Sequence, residues 1–434
     1  MEQLLEQAKK VCDEVEVFRV SRRETEALFE ANRLKQVQTH ETSGTALRII
    51  KEGRIGFSAS NRANRAHELI ERVLEIAPFG AEAKFEFPGP DSYPEVDVYD
   101  PSVEVASEEY MVGLGQSLID RVRGHTSELI CEAGVSKSVT TVEIMNSRGG
   151  KATYQKSIFG IGIEGVLIRG TDMLFVGDSE SSCSPVFETG TVSGNTIEQL
   201  ERAKRTSPAP TGTMPVIFTP NGVASALIMP LMLAVNGKTV LQGASPLGTR
   251  KGERVFDPRL SIWDDATIAF RPGSRFCDDE GVPSRRTPVV ENGVVAGFLY
   301  DLQTAAQAGT QSTGSGSRGL GSLPTPAVSS LVVDDGDATF EDMLADIKEG
   351  LIVEQLMGAS QGNVLGGDFS GNVLLGYKVE NGEIVGRVKD TMVSGNIYET
   401  LNGLNAIGCD GRWVNGIMRI PHLYCTRVAV SAKG

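Results

Sequence analysis

Histidine is the scarcest chemically useful residue in this chain: His40, His67, His125 and His422 are the only four among 434 residues, and no two lie within one helical turn. A helical zinc peptidase site needs two imidazoles on one face with a carboxylate beside them, so this chain cannot supply such a site. His422 and Cys425 are the residue types of a nucleophile pair or half a metal site. No third partner is visible, and a structural pair borne on a strand is the simpler reading. Cys277, Asp278, Asp279 and Glu280 concentrate a thiol and three carboxylates in a turn closed by Gly281. Such a group binds a cation or places an acid/base pair, but it does not match an EF-hand loop, and a charge run reads first as a solvated turn. The loop GTQSTGSGSRGLG (309–321) carries one cation, Arg318, amid small residues, as an active-site lid or a mobile connector would.

Phosphate chemistry finds no support. Gly160-Gly162-Gly165 and Gly314-Gly316-Gly319 both match G-x-G-x-x-G. The first lies inside an alternating strand and the second in a Gly/Ser loop ending at Leu323-Pro324, whereas a pyrophosphate cradle must join a strand to a helix. Gly237-Lys238-Thr239 lacks the first glycine of a Walker A loop, since Met232 stands in its place. The net charge of −14 and a pI near 5.0 argue against direct contact with nucleic acid or anionic lipid. Six cysteines without a C-x-x-C pair, a charged helical N-terminus and no apolar run long enough to span a bilayer together read as a soluble cytoplasmic protein.

The elements that must position these residues read as an α+β chain in two domains. Leu4, Leu5, Ala8 and Val11 open it with an amphipathic helix, followed by an antiparallel meander with turns at Asn32, Ser43-Gly44 and Glu52-Gly53. A helix with Ala66, Leu69, Ile70, Val73 and Leu74 on one face closes the unit. Past a proline-punctuated linker, a helix capped by Asp100 at Pro101 carries Met111, Leu114, Leu118 and Val122, a second meander occupies 138–181, and a helix spans 197–203. Helix plus meander therefore occurs twice, offset by about 115 residues, in halves of about 1–85 and 101–205. A Pro-rich linker at 206–215 leads to a β-rich domain over 216–434. That domain contains an all-round apolar helix at Val223–Val235, which Pro230 should bend or end early. Asn-Gly hairpins are expected within 289–301 and 376–390, and a Thr339/Asp342 capping box precedes Phe340, Met343, Leu344, Ile347 and Leu351.

The ordered set VIFTPNG, CDDEGVPSRR, VVENGVVAGFLYD, the Ser-Thr-Gly at 312–314 and KVENGEIVGRVKDTMVSGN resembles the TldD/PmbA family, once called modulators of DNA gyrase and associated with metal-dependent peptidase complexes. In the TldD branch the buried helix carries a His-Glu-x-x-x-His zinc motif, completed by a cysteine near the C-terminus. Here the helix reads SALIMPLMLA, without His, Glu, Asp or Cys, and Met418 stands near the place of that cysteine. The resemblance thus implies the PmbA/TldE-like branch: a non-catalytic subunit with no catalytic residue, metal ligand or cofactor of its own, paired with a zinc-bearing TldD-like subunit or with itself. It implies a cleft that takes unfolded peptides, for which Arg318, Asp278, Asp279 and Met418 are the candidate lining residues. Two other readings remain open: a homo-oligomeric adaptor acting on gyrase or a toxin–antitoxin pair, and an autonomous hydrolase using Cys277 with Asp278/Asp279 or His422 with Cys425.

Overall fold

A computed structural model describes residues 1–62 and 65–432. The chain begins with helix α1 (Glu2–Ala8) and strands β1 (Glu14–Glu30), β2 (Arg33–Lys51) and β3 (Arg54–Ser60), followed by helix α2 (Ala66–Ile76). Helices α3 (Pro101–Val105) and α4 (Glu108–His125) lead into β4 (Ile130–Asn146), β5 (Lys151–Arg169), β6 (Asp172–Ser182) and helix α5 (Gly190–Arg202). The six strands form one antiparallel sheet in the order β3-β2-β1-β4-β5-β6, so the two meanders meet edge to edge at β1 and β4. One face carries α1 and α2 over Val15, Val17, Leu47 and Ile49, and α4 and α5 over Ala27, Phe29, Val135 and Ile161.

Three local expectations are corrected. Ser43-Gly44 is not a turn: β2 runs straight through it, and only Ala31-Asn32 and Glu52-Gly53 adopt the positive φ of tight hairpin turns. The helix expected from Pro101 is two helices, because Ser107 supplies a second cap, accepting from the Tyr110 amide. The Thr339/Asp342 capping box is formed, but its helix ends at Ala345, and Leu351 belongs to the strand Glu349–Met357.

In the second domain, strands Glu349–Met357, Gly212–Phe218, Leu423–Ala432, Thr391–Asn396 and Asp368–Glu380 pair in that order, and the last pairs back with the first, closing a barrel. A second, six-stranded sheet is assembled from short strands between Ile262 and Ile420. Both expected Asn-Gly hairpins are present, with Asn292-Gly293 and Asn381-Gly382 at positive φ. The apolar helix is wedged between barrel and sheet. It starts as Pro220–Val223 with Thr219 as cap, widens to a π-turn over Ala224–Ile228 and resumes as Met229–Ala234. Pro230 has no N–H for the carbonyl one turn earlier, and the wider turn lets the helix continue rather than stop. Its start presses on the barrel at Gly222, where a Cβ would sit 2.1 Å from the Val353 carbonyl oxygen. Val223, Ala226, Leu227, Ile228, Leu231 and Ala234 face the core, but Met229 is 47% exposed, so the helix is not buried on every side. Among the described residues no helix is long and apolar enough to cross a membrane.

Candidate functional site

The acidic turn Cys277–Gly281 is not solvated. Cys277, Asp278 and Glu280 are fully buried where the second domain lies on the open face of the N-terminal sheet. The reason is that the carboxylates are satisfied from all sides. Asp278 accepts the amides of Glu280 and Val282 at 2.9 Å each and that of Gly316 at 2.8 Å. Glu280 accepts the Leu302 amide at 2.7 Å and Arg48 Nη1 at 2.7 Å. Arg48 stands opposite Glu16 in the β1/β2 register and donates to it from Nη2 at 2.8 Å and Nε at 3.2 Å. The same Glu16 receives Arg318 Nη1 at 2.7 Å. Aromatic rings complete the enclosure: Arg48 stacks on Phe85 and Phe87, and Arg318 lies 4.1 Å over the Phe18 ring.

Burial would raise the Glu16 carboxyl, but Arg318 and Arg48 outweigh it and hold the group below the ordinary range. Glu280 moves the other way, pushed up by burial and by Asp278 and Asp301 against the pull of Arg48. The result is a chain of alternating basic and acidic groups, Arg318, Glu16, Arg48 and Glu280, joining the two domains through side chains closed to solvent.

The loop 309–321 is accordingly neither a lid nor a mobile connector in its second half. Gly316-Ser317 pairs with Thr325-Pro326, the Arg318 amide donates to Asp279 at 2.9 Å, and Leu320 reaches across to the N-terminal sheet. Gly44 is where it lands: a Cβ there would lie 2.1 Å from Leu320 Cδ2, which explains a Ser-Gly pair in the middle of a strand. The structure thus brings Arg318, Asp278 and Asp279 together, with Arg318 and Asp278 enclosed. Met418 is on a separate strand, between Val414 and Leu331, half-buried against the core.

The two candidate nucleophile sets are not assembled. Cys425 lies on the strand Leu423–Ala432 and His422 just ahead of it, and their side chains go to different surroundings. His422 Nδ1 sits 2.8 Å from Asp410 Oδ2, while Cys425 is in the core and burial pushes its thiol far up. The Cys277 thiol is likewise raised by burial and by Asp278, the opposite of an activated thiolate. A second polar constellation, unforeseen in the sequence, surrounds His422. Glu354 is buried nearby, on the strand Glu349–Met357. Burial raises its carboxyl against the opposing field of Arg412, Arg202 and His422. Among the described residues no group of three or more His, Cys, Asp or Glu side chains is placed to hold a metal ion.

A family description of the PmbA/TldA metallopeptidase C-terminal domain matches residues 211–432, and one of domain 1 of the same metallopeptidases matches residues 15–77. A metalloprotease of Methanothermobacter thermautotrophicus is 26% identical over 413 residues, 90% of this chain and 87% of that one. The crystal structure of TldE from Thermococcus kodakarensis superposes with a TM-score of 0.91 at 24% identity over 100% of both chains. A Thermotoga maritima structure described as a candidate modulator of a DNA gyrase gives 0.89 at 23% identity over 99% of each. The chain shares the overall fold of those structures, and it belongs to the PmbA/TldD metallopeptidase family.

Proposed function

We propose that this chain is the non-catalytic, TldE-like subunit of a cytoplasmic zinc metallopeptidase, acting in proteolysis of unfolded peptides or in peptide maturation. One observation carries the reading: the helix Pro220–Ala234, at the place where the resemblance puts a zinc motif, presents only apolar and small side chains besides Asn221 and Ser225. Metal-activated hydrolysis needs ligands for the ion and a base for the water, and neither imidazole nor carboxylate is available on that helix. The six cysteines are all free, which fits a reducing compartment. The zinc then belongs to a TldD-type partner, and this subunit stabilises that partner and completes the enclosure around the peptide.

The test is native purification from the source cells, followed by intact mass and zinc content of the assembly. A near-equal complex with a zinc-bearing chain, and no peptide hydrolysis by this chain alone, is the expected result. Stoichiometric zinc and peptide cleavage by the isolated chain would overturn the proposal.

A further inference from the structure

The face of the N-terminal sheet turned away from α4 and α5 is only partly covered. Around Phe18 and Ala46 the second domain lies on it, but toward the β5/β6 turn the same face is open. There Ile130, Val166 and Phe175 are direct cross-strand neighbours in one row, and Ile168 and Met173 in the next. Ile168 is 51%, Met173 49%, Ile130 42% and Phe175 38% exposed. Together they offer on the order of 400 Å² of apolar surface, the size of the largest, often functional, patch on a typical monomer. That is about half of the roughly 800 Å² that each side of a standard interface contributes, a proportion suited to the apolar centre of one.

The next row inward carries a charge conflict. Glu132 faces Glu164 across adjacent strands, both exposed, and like charges so placed repel. Neither makes an ion pair among the described residues; Lys35, which lies near Glu132, is held by Glu30 at 2.5 Å. One row further, Gly134, Gly162 and Ser179 form part of the floor of a groove of about 280 Å³, open to a side chain from outside. The sheet would gain nothing from this arrangement by itself, whereas a cation between apolar neighbours would neutralise the carboxylates and cover the patch at once.

We propose that this face docks the zinc-bearing partner subunit through a segment that presents a lysine or arginine between apolar side chains. The inference rests on the heteromeric reading above and adds to it where and by what chemistry the partner is held. The test uses the full chain and the TldD-type chain encoded in the same cells, each purified, with affinity measured by titration calorimetry at low and high salt. Glu132→Lys/Glu164→Lys and, separately, Met173→Ser/Phe175→Ser should each weaken association by at least ~tenfold, the first pair with loss of salt dependence. Thermal melts of the isolated variants, whose substituted side chains are exposed, should match the unmodified chain, and the exposed Glu71→Lys on α2 should leave affinity unchanged. Full-strength association by both double variants would overturn the docking face while leaving the heteromeric reading intact. Failure of the unmodified chains to associate would overturn both. A self-assembly of this chain that the same substitutions dissolve would assign the face to a second copy instead and overturn the chosen occupant.

Discussion

Replacing Glu16 by glutamine changes one oxygen to an amide and no volume, yet it removes the anion that two buried guanidiniums share. Arg48 and Arg318 have side chains 3% and 0% exposed, and neither can shed its proton in a protein. Arg48 would keep Glu280, but Arg318 would keep no carboxylate, and the new amide N–H would point at one of the two donors. Removing one partner of a buried ion pair costs about 3–5 kcal/mol, and a carboxylate serving two cations belongs at the upper end, about 4–5 kcal/mol. Against a total stability of about 5–15 kcal/mol, that is enough to separate the domains' unfolding. Urea denaturation should therefore show the far-UV signal, to which the N-terminal sheet contributes, moving ahead of tryptophan fluorescence, since Trp263 and Trp413 both lie in the second domain. The pH dependence has a definite sign. Because the folded-state pKa of Glu16 is depressed, its contribution is complete above the unfolded value of about 4.3 and is lost as pH falls through the folded value. The gap between the original chain and Glu16→Gln should accordingly hold from pH 7 to about pH 5 and close at lower pH. In an Arg318→Met background the same change should cost about 2 kcal/mol less, the coupling expected of residues in one network. A cost below ~1 kcal/mol at pH 7, or additivity with Arg318→Met, would refute the view that this ion chain holds the domains together.

Gly44→Val should force Leu320 off the N-terminal sheet, costing about 1–3 kcal/mol as an overpacked contact. Trypsin should then cut after Arg318, which the intact chain protects, and an uncut loop would contradict the anchoring of the loop by Leu320. Lys156, its Nζ donating to the Ser274 carbonyl at 2.8 Å, is pushed down to about 8 by burial. A folded-state pKa below the unfolded value of about 10.4 means that the charged form opposes folding at neutral pH, by about 3 kcal/mol. Lys156→Met should therefore stabilise the chain at pH 7, and its advantage should shrink as pH rises above 8. A constant difference between pH 7 and pH 10 would show that the amine is solvated.

What was legible in the sequence was local. The capping box at Thr339, the two Asn-Gly hairpins and the alternation through β4–β6 involve partners within a few residues or along one strand, and each is present. What was not legible depended on partners far along the chain. Glu16 and Arg48 interrupt the runs VEVF and LRII, where strand alternation would send a charge to solvent. Both faces of β1 and β2 are covered at that point, so the alternation carries no information there, and the ligand of Arg48 is 232 residues away. Small residues usually punctuate a strand, so Ser43-Gly44 reads as a turn from sequence. Its actual cause, Leu320, is 276 residues later, and no local rule reaches that distance.

The same geometry gives the segments that resemble the family a structural use. CDDEGVPSRR supplies Asp278, which fixes the turn, and Glu280, which reaches the N-terminal sheet, while the Ser-Thr-Gly loop that follows positions Arg318. Gly316 must lack a side chain because a Cβ there would lie 2.7 Å from Glu280 Oε2 and 2.9 Å from Asp278 Oδ2. Each of these residues fits one place in a closed junction between domains. A chain could therefore lose every zinc ligand from its apolar helix and keep this junction whole, since the helix packs on the barrel and the second sheet. Grafting His-Glu-x-x-x-His onto Ser225–Ala234 should accordingly leave the interdomain ion chain undisturbed, and its cost should come from charge placed against the core.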